Sequence, residues 1–292
     1  MKKLLTALLL AAPLSLHAGD DFGLWTGVAV QKDISKKFSA EASLDFRAED
    51  KLRRAARWDI GLGASYKPFK FLSFGVGYDY IYQQVPSEAK EKWELRLDDD
   101  DEPVLDADGA PQYDFKGYNL DHAFWRSKHR FSLSATGKAD VGRFTFSLRE
   151  RYQYTRTLGT TCDRDKYRGP IPPEMLQGGY AGEVYEYGDQ AFTTLKHETD
   201  TKHAKTSHYL RSRIGIDYNI NHCPVDPFAS IEWYNNLKEG LELNKQRIMV
   251  GAEWKITKKH RIEAAYLYQS THGDDDDEAD LHAITLSYKF KF

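Results

Sequence analysis

Arg149 and Arg151 stand two residues apart, as do Arg211 and Arg213; Arg126 and Arg130 stand four apart, and Arg247 follows alone. A guanidinium presents a rigid fork of N–H donors that matches carboxylate or phosphate oxygens in pairs. Even spacing puts such residues on one face of an extended strand. If the three paired segments are neighbours, about 4.8 Å apart, Arg126, Arg130, Arg149, Arg151, Arg211 and Arg213 form one basic ladder. Glu41, Asp45, Asp217, Glu232, Glu253 and Glu263 carry the opposite charge on the same predicted face. Two outcomes are open. The arginines bind or pass small anionic solutes, or they pair with the acids and fill a narrow interior, since buried charges must be paired.

Other residue types offer less. His197, His203, His208 and His272 fall near one predicted rim, as the acids and bases of a barrel-embedded hydrolase would. No spacing ties them to one nucleophile–base pair, so no catalytic residue is assigned and an enzyme is not the expectation. Asp98-Asp-Asp-Asp-Glu102 and Asp274-Asp-Asp-Asp-Glu278 attract cations, yet neither has the ligand-and-glycine spacing of a calcium loop. They read as solvated charge runs, with no metal and no cofactor expected. Cys162 and Cys223 fall at opposite ends of the predicted strands, about 25 Å apart, so no disulfide is expected between them.

The elements that would position the arginines show a period of two. From Phe38 to Glu49 the even positions are Phe, Ala, Ala, Leu, Phe and Ala, and the odd ones Ser, Glu, Ser, Asp, Arg and Glu. The pattern recurs through Trp58–Tyr66, Leu72–Tyr80, Phe131–Ala135, Phe144–Tyr154, Ile214–Ile220, Ala229–Trp233, Ile248–Ile256, Ile262–Tyr268 and Ile284–Phe292. Runs of roughly this length suit a tilted strand crossing a bilayer, with one face to lipid and the polar face to a wet lumen. Tyr80, Tyr82, Tyr152, Tyr154, Tyr266 and Tyr268 mark one predicted boundary; Phe38, Tyr66, Phe144, Tyr218 and Tyr288 mark the other.

Connections alternate between short and long, with the longest at 86–123 and 156–205, read as irregular surface loops outside the cell. Ten strands run from Phe38 to Phe292, and Phe22–Gln31 is an eleventh candidate. An even count is the rule for such barrels. Three resolutions stand open: the first segment lies in the lumen, a further strand hides in a long loop, or the barrel closes with a parallel pair. Glu150 falls on the lipid face, tolerable near a boundary.

Composition agrees. The chain has 292 residues, with 41 Lys plus Arg against 44 Asp plus Glu, a balance that gives no reason to expect nucleic acid. Hydrophobic residues make up 41%, without the long apolar stretches of a helical membrane protein. Met1-Lys-Lys, an apolar run to Leu16 and Leu16-His-Ala18 have the layout of a secretory signal peptide, residues 1–18. The remainder, 19–292, reads as a single barrel domain.

Asp21-Phe-Gly-Leu-Trp-Thr-Gly27, Glu41–Arg47, Arg211-Ser-Arg213, Pro227-Phe-Ala-Ser-Ile-Glu232 and Arg247 before Gly251 occur in an order that resembles an uncharacterised outer-membrane β-barrel family, domain of unknown function 2490. The resemblance implies an exported barrel and no assigned activity. The terminal Tyr288-x-Phe290-x-Phe292 is similar to the signal read by barrel assembly machinery. The expectation is an all-β, transmembrane antiparallel β-barrel of 10 to 12 strands in the bacterial outer membrane, porin-like, among lipid and lipopolysaccharide. It would be a narrow charge-lined channel or a structural barrel with a mildly basic lumen and a preference for anionic solutes. The alternatives are a phospholipase- or protease-type hydrolase, or a surface receptor or adhesin acting through the long loops.

Overall fold

The structure, a computed structural model, describes residues 21–272 and 280–292. The expected signal peptide and the acidic run at 274–278 lie outside the described residues. In chain order the strands are β1 (Asp21–Asp33), β2 (Phe38–Glu49), β3 (Arg54–Phe69), β4 (Leu72–Val85), β5 (Glu88–Leu95), β6 (Tyr113–Asp121), β7 (Phe124–Val141), β8 (Phe144–Thr157) and β9 (Thr160–Ile171). After a short helix, α1 (Pro173–Gln177), come β10 (Tyr185–Tyr187), β11 (Gln190–Lys202), β12 (Lys205–Tyr218), β13 (Val225–Asn236), β14 (Glu242–Lys255), β15 (His260–Thr271) and β16 (Leu281–Lys291). They form two compact units.

The first unit is a closed barrel in the order β1-β16-β15-β14-β13-β12-β8-β7-β4-β3-β2. Its wall is inside out relative to a water-soluble protein. In β3, Ile60 and Leu62 are 54% and 59% exposed while Asp59 is 7% exposed. Phe74, Leu148 and Val250, on other strands, are about as exposed as Ile60. Strand alternation sends one set of side chains to each face, and here the apolar set faces out. A continuous apolar exterior of this kind needs an apolar surrounding. No described helix is long and apolar enough to cross a membrane; any crossing is made by strands.

The barrel has eleven strands, and Phe22–Gln31 lies within β1, a wall strand. Full antiparallel pairing fails at one seam. β1 runs parallel to β16 from Asp21 opposite Leu281 to Gln31 opposite Lys291. The reason is parity: an odd number of up-and-down strands leaves the first and last pointing the same way, so the ring closes only through a parallel pair. The other pairs within the described register are antiparallel.

The boundary aromatics are built from a repeated unit. A histidine on one strand packs against two aromatic rings, two residues apart, on the next: His129 with Tyr78 and Tyr80, His208 with Tyr152 and Tyr154, His282 with Tyr266 and Tyr268. His260 does the same with Tyr288 and Phe290 near the short turns. In each unit the tyrosine nearer mid-strand shares a hydrogen bond with histidine Nδ1; the distance is 2.8 Å for Tyr78–His129 and for Tyr152–His208. A hydroxyl in hydrocarbon has no water partner, so the imidazole satisfies it. Glu150, the charge on the outer face, accepts a hydrogen bond from Ser212 Oγ at 2.7 Å.

The second unit comprises residues 83–127 and 157–205, where sequence reading expected irregular loops. It holds a five-stranded sheet in the order β10-β11-β9-β6-β5. Phe192 is fully buried, packed edge-on against Tyr118 and near Tyr167. Its strands lack a clean apolar face because cross-strand ion pairs do part of the work: Arg164 binds Asp121 at 2.5 Å and Asp200 at 2.7 Å, and Lys166 binds Glu198 at 2.5 Å. The Pro170–Pro173 stretch ends β9 and opens α1, since proline supplies no N–H to a ladder and suits a helix's first turn. The acidic run Asp98–Glu102 is an exposed turn in which Asp98 Oδ1 accepts from the backbone N–H groups of Asp100 and Glu102.

Candidate functional site

The interior of the barrel gathers most of the predicted charges, and pairing register sorts them. One row around the wall reads Asp59, Asp45, Gly27, Ser287, Glu263, Glu253, Asp226, each opposite the next on neighbouring strands. A second reads Arg213, Glu232, Arg247, Gln269, Leu281. The first row is acidic. Gly27 leaves the Asp45 carboxylate room in it, since a Cβ there would push that carboxylate aside. The second row leads into the cluster of arginines.

Glu232, on β13, is the hub of that cluster. Its two oxygens accept from Arg149 at 2.6 Å and Arg211 at 2.9 Å. Arg211 also donates to Gln153 Oε1 at 2.8 Å, and Arg247 to Gln269 Oε1 at 2.7 Å and to the Tyr234 hydroxyl. Flat faces stack between these bonds: Arg47 lies 3.9 Å over Trp25, Arg247 5.1 Å from Trp25 and 4.8 Å from Tyr234, and Arg211 4.2 Å over Tyr234. The result is an alternating cation–aromatic stack, Arg47–Trp25–Arg247–Tyr234–Arg211. Each such contact stabilises by about 0.5–2 kcal/mol and fixes a guanidinium without neutralising it.

Elsewhere in the lumen Asp59 grips Arg57 through two bonds of 2.5 Å, with Arg47 at 3.9 Å. Arg130 stands 3.9 Å from Asp79. Glu41 pairs with Lys289, Glu253 with Arg261 at 3.1 Å, and Asp226 with Lys255. Asp217 lies on β12 opposite Phe228. A cavity of about 300 Å³ opens beside the hub, lined by Arg47, Arg149, Arg151, Arg211, Arg213 and Arg247. The carboxylates that line it are Asp45, Glu232 and Glu263.

Strand register thus gathers Arg149, Arg151, Arg211, Arg213 and Arg247 around Glu232, with Asp45 and Glu263 on the same cavity. It places Arg130 with Asp79, and Glu41 and Glu253 in separate pairs. Arg126 is a correction. It belongs to the second unit, and its guanidinium donates to the backbone carbonyls of Leu158, at 2.8 Å, and His203. Within β7 the barrel unit starts at Lys128, two residues past Arg126. Sequence reading missed Trp25, Gln153, Tyr234 and Gln269 as partners. The signal was available for Trp25 and Tyr234, each a large aromatic on the polar face of its strand.

Two of the rim histidines of the hydrolase alternative, His197 and His208, have other partners. His197 Nδ1 lies 2.5 Å from Asp165, which also meets His122 at 3.0 Å; His208 belongs to the aromatic unit above. Cys162 and Cys223 are both free thiols. Asp121, Cys162 and Asp200 lie close enough together to suit a cation. Arg164 and Lys202 already bridge both carboxylates, so the cluster is neutral without a metal. The Arg164 hydrogen bond, joined by Lys202, brings the Asp121 carboxyl down to about 2, and burial raises the Cys162 thiol.

A family model described as "Protein of unknown function (DUF2490)" matches residues 22–280. Among curated proteins none matches the chain. Among solved structures, the β-domain of the Bordetella autotransporter Brka superposes with a TM-score of 0.42 at 12% identity, covering 87% of this chain and 81% of that one.

Proposed function

This chain belongs to the DUF2490 family of proteins of unknown function, and from that premise we propose that it is an outer-membrane β-barrel with a narrow lumen that favours small anions. The apolar exterior supports the membrane half of this reading. In it, lipid and lipopolysaccharide solvate the wall, export follows the signal peptide, and barrel assembly machinery inserts the chain. The observation that carries the solute half is the cavity lining, where six guanidiniums face three carboxylates. Fixed positive charge in a low-dielectric lumen raises the local concentration of anions and opposes cations.

Planar-bilayer recording of the purified protein across a potassium chloride gradient tests it. The expected reversal potential lies toward the chloride equilibrium potential, and the preference weakens as salt rises and screens the wall. Absence of current, or a reversal potential on the potassium side, contradicts the reading.

A further inference from the structure

Several buried hydrogen-bond donors of the lumen have no acceptor in the protein. Four donors lining the cavity are buried without a partner: Trp25 Nε1 and the Nε groups of Arg149, Arg151 and Arg211. Arg211 is only 9% exposed, so its stray donor is shut away in the barrel interior. A buried donor left unmade costs free energy, and one on a charged group more than most. Around the hub the acceptors are committed: Glu232 serves Arg149, Arg211 and Tyr234, while Gln153 and Gln269 serve Arg211 and Arg247, and none of them reaches these four donors. No ion pair or hydrogen bond to another side chain is formed by Arg151 among the described residues.

We infer that this cavity is a binding site for a small oxyanion carrying at least two charges, of the phosphate or dicarboxylate type. The inference rests on the anion-favouring lumen proposed above and names its solute class. Six arginines against three carboxylates leave the cavity lining an excess of three positive charges, more than a single chloride offsets. The geometric argument concerns oxygens. Phosphates and carboxylates present several acceptors at once and match guanidinium forks, whereas a halide presents one sphere. A cavity of about 300 Å³ has space for several waters. That is room for an anion of a few heavy atoms with part of its hydration. The stack through Trp25 and Tyr234 holds Arg47, Arg247 and Arg211 in place before the ligand arrives, which lowers the ordering cost of binding.

The test uses the full-length protein, reconstituted and in detergent, with inorganic phosphate and succinate as separate probes and chloride at equal ionic strength as reference. Calorimetry and the thermal midpoint are read for wild type, Arg151→Gln and Arg151→Lys. Arg151 is chosen because its replacement breaks no ion pair. Saturable binding of at least one probe, weakened about tenfold or more in Arg151→Gln, is expected, as for loss of one charge-assisted bond. Arg151→Lys, which keeps the charge and loses the fork, restores part of it. Phosphate without succinate, or the reverse, assigns the oxyanion's source. No saturable binding by either probe, or equal binding by wild type and Arg151→Gln, overturns the inference. A chloride-selective current without saturable binding rejects the site and keeps the anion-favouring lumen. Saturable binding without current keeps the site and rejects passage.

Discussion

Glu232→Gln is expected to destabilise the barrel by about 3–5 kcal/mol, the range for removing one partner of a buried ion pair. The carboxylate serves Arg149 at 2.6 Å and Arg211 at 2.9 Å, and is itself 7% exposed. Glutamine keeps the shape and one acceptor but removes the charge, so two guanidiniums lose their ion-pair partner beside Arg151, Arg213 and Arg247, with only Asp45 and Glu263 left on the cavity to offset the five. Pairing is what makes a buried charge tolerable, and its loss is felt as repulsion among five neighbours. Urea unfolding of the reconstituted protein measures it. A change below about 1 kcal/mol, the scale of an exposed pair, would mean that the lumen is wet enough to screen the cluster.

Leu62→Arg is expected to cost about 2–4 kcal/mol, as for an arginine on the lipid face near mid-depth. Leu62 sits in the middle of β3, opposite Ala42, and is 59% exposed. In a water-soluble protein a side chain this exposed tolerates substitution to within about 0.5 kcal/mol. The same change at Leu52, exposed in the turn between β2 and β3, provides the control and is expected to be nearly neutral. Equal and small effects at both positions would say that Leu62 faces water.

The faces of the barrel strands were legible because a period of two leaves no freedom: once Phe74 and Leu148 point out, Gly75 and Arg149 point in. Turn positions were legible for the same reason, since each run must reverse where its alternation stops. Pairing across strands was not. Whether Arg211 meets Glu232 or Asp217 depends on register, and a run of alternating residues does not state its own register. Hence the acids came out as a set and the hub did not. The histidines opposite Tyr80, Tyr154 and Tyr268 were hidden likewise, since each contact joins residues far apart in sequence. The closing seam was open on paper, but eleven wall strands leave only a parallel closure. The second unit escaped because its strands carry charge on both faces, and pairs such as Arg164–Asp121 look like solvated loop residues until they are brought together.

The barrel wall is apolar outside and charged inside, and two tryptophans report on the two faces. Trp58 lies on the outer face, 42% exposed, and Trp25 in the lumen between Arg47 and Arg247. Chains that retain one or the other as their sole tryptophan, reconstituted in vesicles with brominated acyl chains, give the direct measurement. Strong quenching of Trp58 with Trp25 left bright is the predicted result; a Trp58 untouched by the lipid, or a Trp25 quenched as strongly, would contradict it.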